Sequence, residues 1–186
     1  MYIQKGNGIL EVITGPMFSG KTEELIKRIK ILEIAGIKTL VIKPSFDTRY
    51  SNSELVSRTG ARIKAHNVQN ALEIISLYNN RYKAIAIDEV NFMEESLLEV
   101  IENLILKGCR VICSGLDMDF LRRPFGIMPK VISIADEVTK LKAVCMKCKK
   151  DAGFSFRKIE SKELNVLGDD EYEARCRVCH IKGLSI

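Results

Sequence analysis

Apolar positions in this chain fall into short unbroken runs, separated by longer stretches in which they recur at helical spacing. Ile9-Leu-Glu-Val-Ile13, Thr39-Leu-Val-Ile-Lys43, Tyr82 to Ile87 and Arg110-Val-Ile-Cys-Ser114 have strand length and are apolar enough to be covered on both faces. Between them Leu25, Ile26, Ile29 and Leu32 mark a helix that Gly36 stops, and Asn70 to Tyr78 reads as a second. A third, about Glu94 to Leu106, carries Leu97, Leu98, Ile101, Leu104 and Ile105 on one face and is closed by Gly108. Strands alternating with helices predict βαβ units and a mostly parallel sheet, so the fold class is α/β. Val131-Ile-Ser-Ile134 and Glu137 to Val144 are expected to be further strands, while the polar stretch Ser45 to Lys64 is expected to be a loop.

The pattern changes near Cys145. Beyond it the chain is rich in Lys and Glu, with short β-like pieces and a cysteine pair at each end. We expect a main domain over residues 1–143 and a small second one over 144–186. No apolar run approaches the roughly 20 residues needed to span a bilayer, and the N-terminus lacks a signal-peptide core. The expectation is a cytoplasmic protein without a membrane partner, in which six cysteines stay reduced. Cys109 and Cys113 sit four apart in a strand, ~13 Å from each other, which suits apolar packing and not a shared metal. Cys145-Met-Lys-Cys148 and Cys176-Arg-Val-Cys179 are two C-x-x-C knuckles with 27 residues between them. Four thiolates so paired suit tetrahedral structural Zn²⁺, and the long interval implies a segment looped out between the knuckles. His180 is a competing fourth ligand by position, but is expected to be an exposed neighbour. His66 receives no role.

The residues that carry chemistry lie in the first domain. Gly15-Pro16-Met17-Phe18-Ser19-Gly20-Lys21-Thr22 reads G-x-x-x-x-G-K-[ST], between a strand and a helix. Backbone N–H groups and the positive end of the helix dipole converge there on a phosphate. Lys21 reaches the β- and γ-phosphates, and the Thr22 hydroxyl is placed to ligate Mg²⁺. Asp88 and Glu89 end a buried-strand pattern, so they belong in the same crevice. Asp88 suits the Mg²⁺ position and Glu89 a general base. Activation of water by Glu89 would make the protein an ATPase or switch; activation of a substrate hydroxyl would make it a kinase.

These elements in this order, together with Asp47-Thr48-Arg49, resemble the cytosolic, zinc-containing (type II) thymidine kinase family across essentially the whole chain. The resemblance implies a RecA-like phosphate-loop domain, a homotetramer, and transfer of the ATP γ-phosphate to the 5′-hydroxyl of thymidine, with deoxyuridine as a second substrate. It assigns Glu89 as catalytic base and Asp88 as its partner near Mg²⁺, followed by Val90 and Asn91 beside the phosphates. Asp47, Thr48 and Arg49 become a second ATP contact, and Met17 lies close to the nucleoside. Phe92, Leu116, Phe120 and Phe125 would line the base pocket. A lasso over Leu164, Asn165, Val166, Leu167 and Gly168, with Tyr172, would close over the base and read it through the main chain, its ends anchored by zinc. The chain departs from the family at Val90-Asn91, where a small residue and Gln are usual, at Leu167-Gly168-Asp169, where two glycines are usual, and at Phe156, where Gln or Lys is common.

A contrasting reading is a nucleic-acid-binding ATPase that uses the ribbon as its binding module. The net charge of +5 is a weak argument for it. Glu160, Glu163, Asp169, Asp170, Glu171 and Glu173 between the knuckles would repel a phosphate backbone, so no nucleic-acid partner is expected.

Overall fold

A computed structural model of the chain describes residues 8–45, 54–159, 168 and 170–184. Its elements follow in the order β1 (Ile9–Thr14), α1 (Lys21–Ile34), β2 (Thr39–Pro44), β3 (Glu54–Val56), β4 (Arg62–Lys64), β5 (His66–Val68), α2 (Ala71–Leu77), β6 (Ala84–Ile87), α3 (Ser96–Leu106), β7 (Arg110–Gly115), α4 (Met128–Ser133) and β8 (Glu137–Lys140). The C-terminal part adds β9 (Ala143–Val144), β10 (Asp151–Ala152), β11 (Phe154–Arg157), β12 (Tyr172–Arg175) and α5 (Arg177–Leu184).

Six strands form one sheet in the order β5-β2-β6-β7-β1-β8, and every neighbouring pair is parallel. Parallel strands need crossovers that cover both faces, which is why their central residues are apolar without alternation. On one face α1 buries Leu25, Ile26, Ile29 and Leu32 against Ile13, Val41 and Ile112. On the other, Ile74 of α2, Leu97, Ile101 and Leu104 of α3 and Val131 of α4 pack with Leu10, Ile42, Ile85 and Val111. Cys109 and Cys113 lie within this second cluster, as apolar packing requires. Burial pushes the Cys113 thiol up to about 12. Asn70 caps α2 by accepting the Glu73 amide at 3.2 Å.

Two sequence-based expectations are corrected, and the strand assignments are extended. Val131 to Ser133 is helical, not a strand: Met128 and Val131, three residues apart, both face the core, and Pro129 occupies the first turn of α4, where its missing N–H costs nothing. Ser45 to Lys64 is not all loop, because β3 and β4 pair in an antiparallel hairpin. His66–Val68 adds an edge strand to the sheet. Glu137 to Val144 is two strands, with β8 on the main sheet and β9 paired to β10.

The C-terminal part is two small antiparallel pairs, β9 with β10 and β11 with β12. Each knuckle follows a strand, and the Met146 amide donates to the Ala174 carbonyl at 2.9 Å, tying one knuckle to the other. Beyond β11 the Lys158 amide donates to the Glu171 carbonyl at 2.8 Å. That bond pinches together the two ends of the long segment between the knuckles.

Candidate active site

The phosphate loop joins β1 to α1 at the carboxyl edge of the sheet. Gly15 and Gly20 hold φ values of 142° and 81°, which side chains rarely adopt, and a Cβ on Gly15 would sit 2.5 Å from the Leu141 carbonyl. Phe18 takes φ 68° inside the same loop. Lys21 opens the helix, is buried, and donates from Nζ to the Pro16 carbonyl at 3.0 Å. Burial lowers the pKa of its ammonium, against the opposing pull of Glu89, Asp88 and Asp117.

Asp88 and Glu89 leave β6 on the same edge. The Thr22 hydroxyl donates to Asp88 Oδ2 at 3.3 Å, while Asp88 Oδ1 is buried and accepts no hydrogen bond. Burial pushes the Asp88 carboxyl up, and the Ser114 hydroxyl, a backbone amide and the Lys21 charge pull it back down. A hydroxyl and a half-satisfied buried carboxylate suit a hard divalent cation. Glu89 has φ 50°, an uncommon conformation for a side chain of its size. The cleft of about 400 Å³ is lined by Met17 through Glu23, Lys43, Asp88, Glu89, Leu116 and the β3–β4 hairpin.

Val90 and Asn91 do not line that cleft. Val90 is fully buried in the core. Asn91 accepts the Leu116 amide at Oδ1, 2.9 Å away, and so links the end of β6 to the end of β7. A Cβ on Gly115 would lie 2.6 Å from that Oδ1, and Gly126, at φ 53°, presses on the Asn91 carbonyl. Asn91 therefore braces the segment that carries Leu116.

Of the expected base-pocket residues, Leu116 faces the cleft and Phe92 packs edge-on against Phe125 with ring centres 5.6 Å apart. Asp119, unremarked in the sequence, accepts the amides of Leu121 and Arg123 at 2.8 Å each and shapes the loop between them. Phe120 turns toward the ribbon, where the Arg157 guanidinium lies 3.6 Å from its ring centre. Tyr172 is half-buried on β12, and Gly168 takes φ 135°. Asp47, Thr48 and Arg49, and Leu164 to Leu167, lie outside the described residues.

The ribbon meets the phosphate loop directly. The Met17 amide donates to Ser155 Oγ at 2.9 Å, a contact that no local sequence signal announced. His180, expected to be exposed, has 0% of its surface accessible. The first turns of α5 carry it beneath the rings of Phe154 and Phe156, and Nε2 faces the carbonyls of Phe120 at 2.9 Å and Ser155 at 3.2 Å. Two acceptors there require the proton on Nε2, and burial keeps the pKa of the ring down. His180 thus joins the second knuckle to the loop that carries Phe120.

The sulfurs of Cys145, Cys148, Cys176 and Cys179 all lie within 4.8 Å of one another, and Cys148 Sγ is 3.6 Å from Cys176 Sγ. Zinc–thiolate bonds of ~2.3 Å place tetrahedral sulfurs roughly 3.8 Å apart, so the quartet fits zinc. Although burial opposes it, backbone amides of the two knuckles draw the Cys145 thiol down to about 6, preparing a thiolate.

A glycine-closed loop on a parallel strand, its lysine and threonine facing two strand-end carboxylates, defines a phosphate-loop enzyme. Residues 8–180 match the family model described as thymidine kinase. The chain is 55% identical to a thymidine kinase of Mycoplasma mobile over 98% of its length and 92% of the relative's. It is 52% identical to one from Metamycoplasma arthritidis, covering 98% and 95%, and 53% identical to one from Mesomycoplasma hyopneumoniae, covering 97% and 99%. The chain belongs to the thymidine kinase family.

Proposed function

We propose that the protein transfers the γ-phosphate of ATP to the 5′-hydroxyl of thymidine, with deoxyuridine as a second substrate, giving dTMP for DNA precursor synthesis. The observation that carries the reading is the convergence of Lys21, Thr22, Asp88 and Glu89 on one cleft. The loop amides and Lys21 bind the triphosphate, the ammonium exchanging the Pro16 carbonyl for phosphate oxygen. Thr22 and Asp88 would hold Mg²⁺, which neutralises phosphate charge when bound. Glu89 takes the proton of the 5′-hydroxyl as that oxygen bonds to γ-phosphorus; the bond from γ-phosphorus to the bridging oxygen breaks, and ADP leaves.

Leu116, Phe120, Phe125 and Phe92 form the apolar wall against the base, and the segment from Leu164 to Gly168 with Tyr172 closes over it. Zinc on the four cysteines fixes the ends of that segment. Asp47, Thr48 and Arg49 supply the second ATP contact. Residues 1–143 act as the ATP domain and 144–186 as the nucleoside clasp. The enzyme works as a homotetramer in the cytoplasm; among the described residues no helix is long and apolar enough to cross a membrane.

Incubation with γ-labelled ATP and a panel of nucleosides tests the reading. Label is expected on thymidine and deoxyuridine and not on purine nucleosides. ATP hydrolysis without any labelled nucleoside would sink it.

A further inference from the structure

The turn of the β3–β4 hairpin brings a further cation to the phosphate cleft, beside Lys21 and Lys43. The hairpin is anchored: Leu55 is buried in the cluster that α1 builds, and Ile63 packs against the same cluster. The Thr59 amide donates to Glu23 Oε1, 3.3 Å away in the first turn of α1. The turn is closed by the Ser57 amide on the Ala61 carbonyl at 2.8 Å and the Gly60 amide on Ser57 at 3.0 Å, with Gly60 at φ 88°. At its tip the Arg58 guanidinium lies 3.9 Å from the ring centre of Phe18, inside the phosphate loop.

We propose that Arg58 is a binding residue for the triphosphate of ATP, presented by the hairpin turn and positioned by the ring of Phe18. This rests on the phosphate-loop reading above. A guanidinium stacked on a ring uses its face, and its N–H groups stay in the plane, the arrangement that matches two phosphate oxygens. Its charge also falls on the same cavity as the Lys21 ammonium. Phe18, at φ 68°, carries that ring within the phosphate loop.

The test is ATP affinity, read with a fluorescent ATP analogue and competition by ATP, without turnover. Arg58→Ala is expected to weaken ATP binding about tenfold, as loss of a charge-assisted contact does. Arg58→Lys, which keeps charge but not the planar fork, is expected to lie between. Combining Phe18→Leu with Arg58→Ala is expected to be no worse than Arg58→Ala alone, because the ring acts through the guanidinium. ATP affinity of Arg58→Ala within about twofold of the unaltered chain would overturn the proposal, that being the scale of an exposed charge with no ligand. Lys21→Ala measured in parallel separates the two readings. If Lys21→Ala loses ATP and Arg58→Ala does not, only the Arg58 assignment fails; if Lys21→Ala keeps ATP, the phosphate-loop reading fails with it. Arg58 is exposed at a turn, and circular dichroism of each variant checks that the fold is intact.

Discussion

The phosphate loop and the cysteine ribbon are both stretches of irregular backbone held in fixed shape, but different forces hold them. The loop hangs between β1 and α1, and behind it lie two large apolar clusters, one on each face of the sheet. Each fully buried Leu or Ile there contributes about 1.5–3 kcal/mol. Among the described residues the ribbon's own apolar cluster is small: Ala143, Cys145, Ala152 and Ala174, flanked by Cys176 and Cys179. Alanines bury little, and beyond them the ribbon has His180 packed on Phe154 and Phe156, so a metal on the four sulfurs would supply much of what the core supplies elsewhere. On the proposed function, one half of the site is as stable as the fold, and the other would be as stable as the zinc it holds.

Stripping the zinc, or replacing Cys176 by Ser, draws that contrast most sharply. Structural zinc is worth ~10–16 kcal/mol in small domains, so the ribbon and thymidine binding are expected to be lost together. The sheet should survive, with ATP affinity and helical circular dichroism nearly unchanged. Parallel loss of ATP binding would show that the two halves do not stand apart. Glu89→Gln is expected to act within the stable half: turnover falls by ~10²–10⁴ while the KM for each substrate stays close to its value.

Asp88 gives a smaller effect with a definite sign. Its carboxyl is raised above the usual value of 3.8 by burial. Keeping it charged in the fold costs stability, and that loss accrues as pH rises from 3.8 through the raised value. Thermal melts across that window should show stability falling with pH for this group, and Asp88→Asn should flatten the slope. Mg²⁺ with ATP should flatten it as well, since the cation favours the carboxylate. The smallest change tests the seam between the halves. Ser155→Ala removes the partner of the Met17 amide, worth about 0.5–1.5 kcal/mol. A several-fold rise in thymidine KM with kcat little altered is expected; an unchanged KM would mean that the seam does not set the nucleoside pocket.

How much of this was legible in the sequence depended on whether the determinant was local. The phosphate loop, the strand-end acids and the knuckles are each set by residues a few positions apart, and the parallel sheet follows from runs such as Ile85 to Ile87. Val131-Ile-Ser-Ile134 misled because β-branched residues suit strands, whereas burial of Met128 and Val131 on one side made that segment a helix. Ser57-Arg-Thr-Gly60 held a usable turn signal in Gly60. Arg58, Ser155 and His180 could not be placed, because their partners lie across the fold. His180 meets Phe120, and Ser155 meets Met17, only after the ribbon has docked.

The bond from the Lys158 amide to the Glu171 carbonyl has a consequence for loop-closure entropy. Bringing the ends of a long segment together is a cost that depends only logarithmically on its length, ~0.6 kcal/mol for each doubling. With β11 and β12 in register up to Arg157 and Tyr172, that cost is met by folding, before any nucleoside arrives. The length of the segment between them is then a nearly neutral variable: insertions or deletions there change the closure term little. Selection is left to act on what the segment touches, not on how far it has to reach.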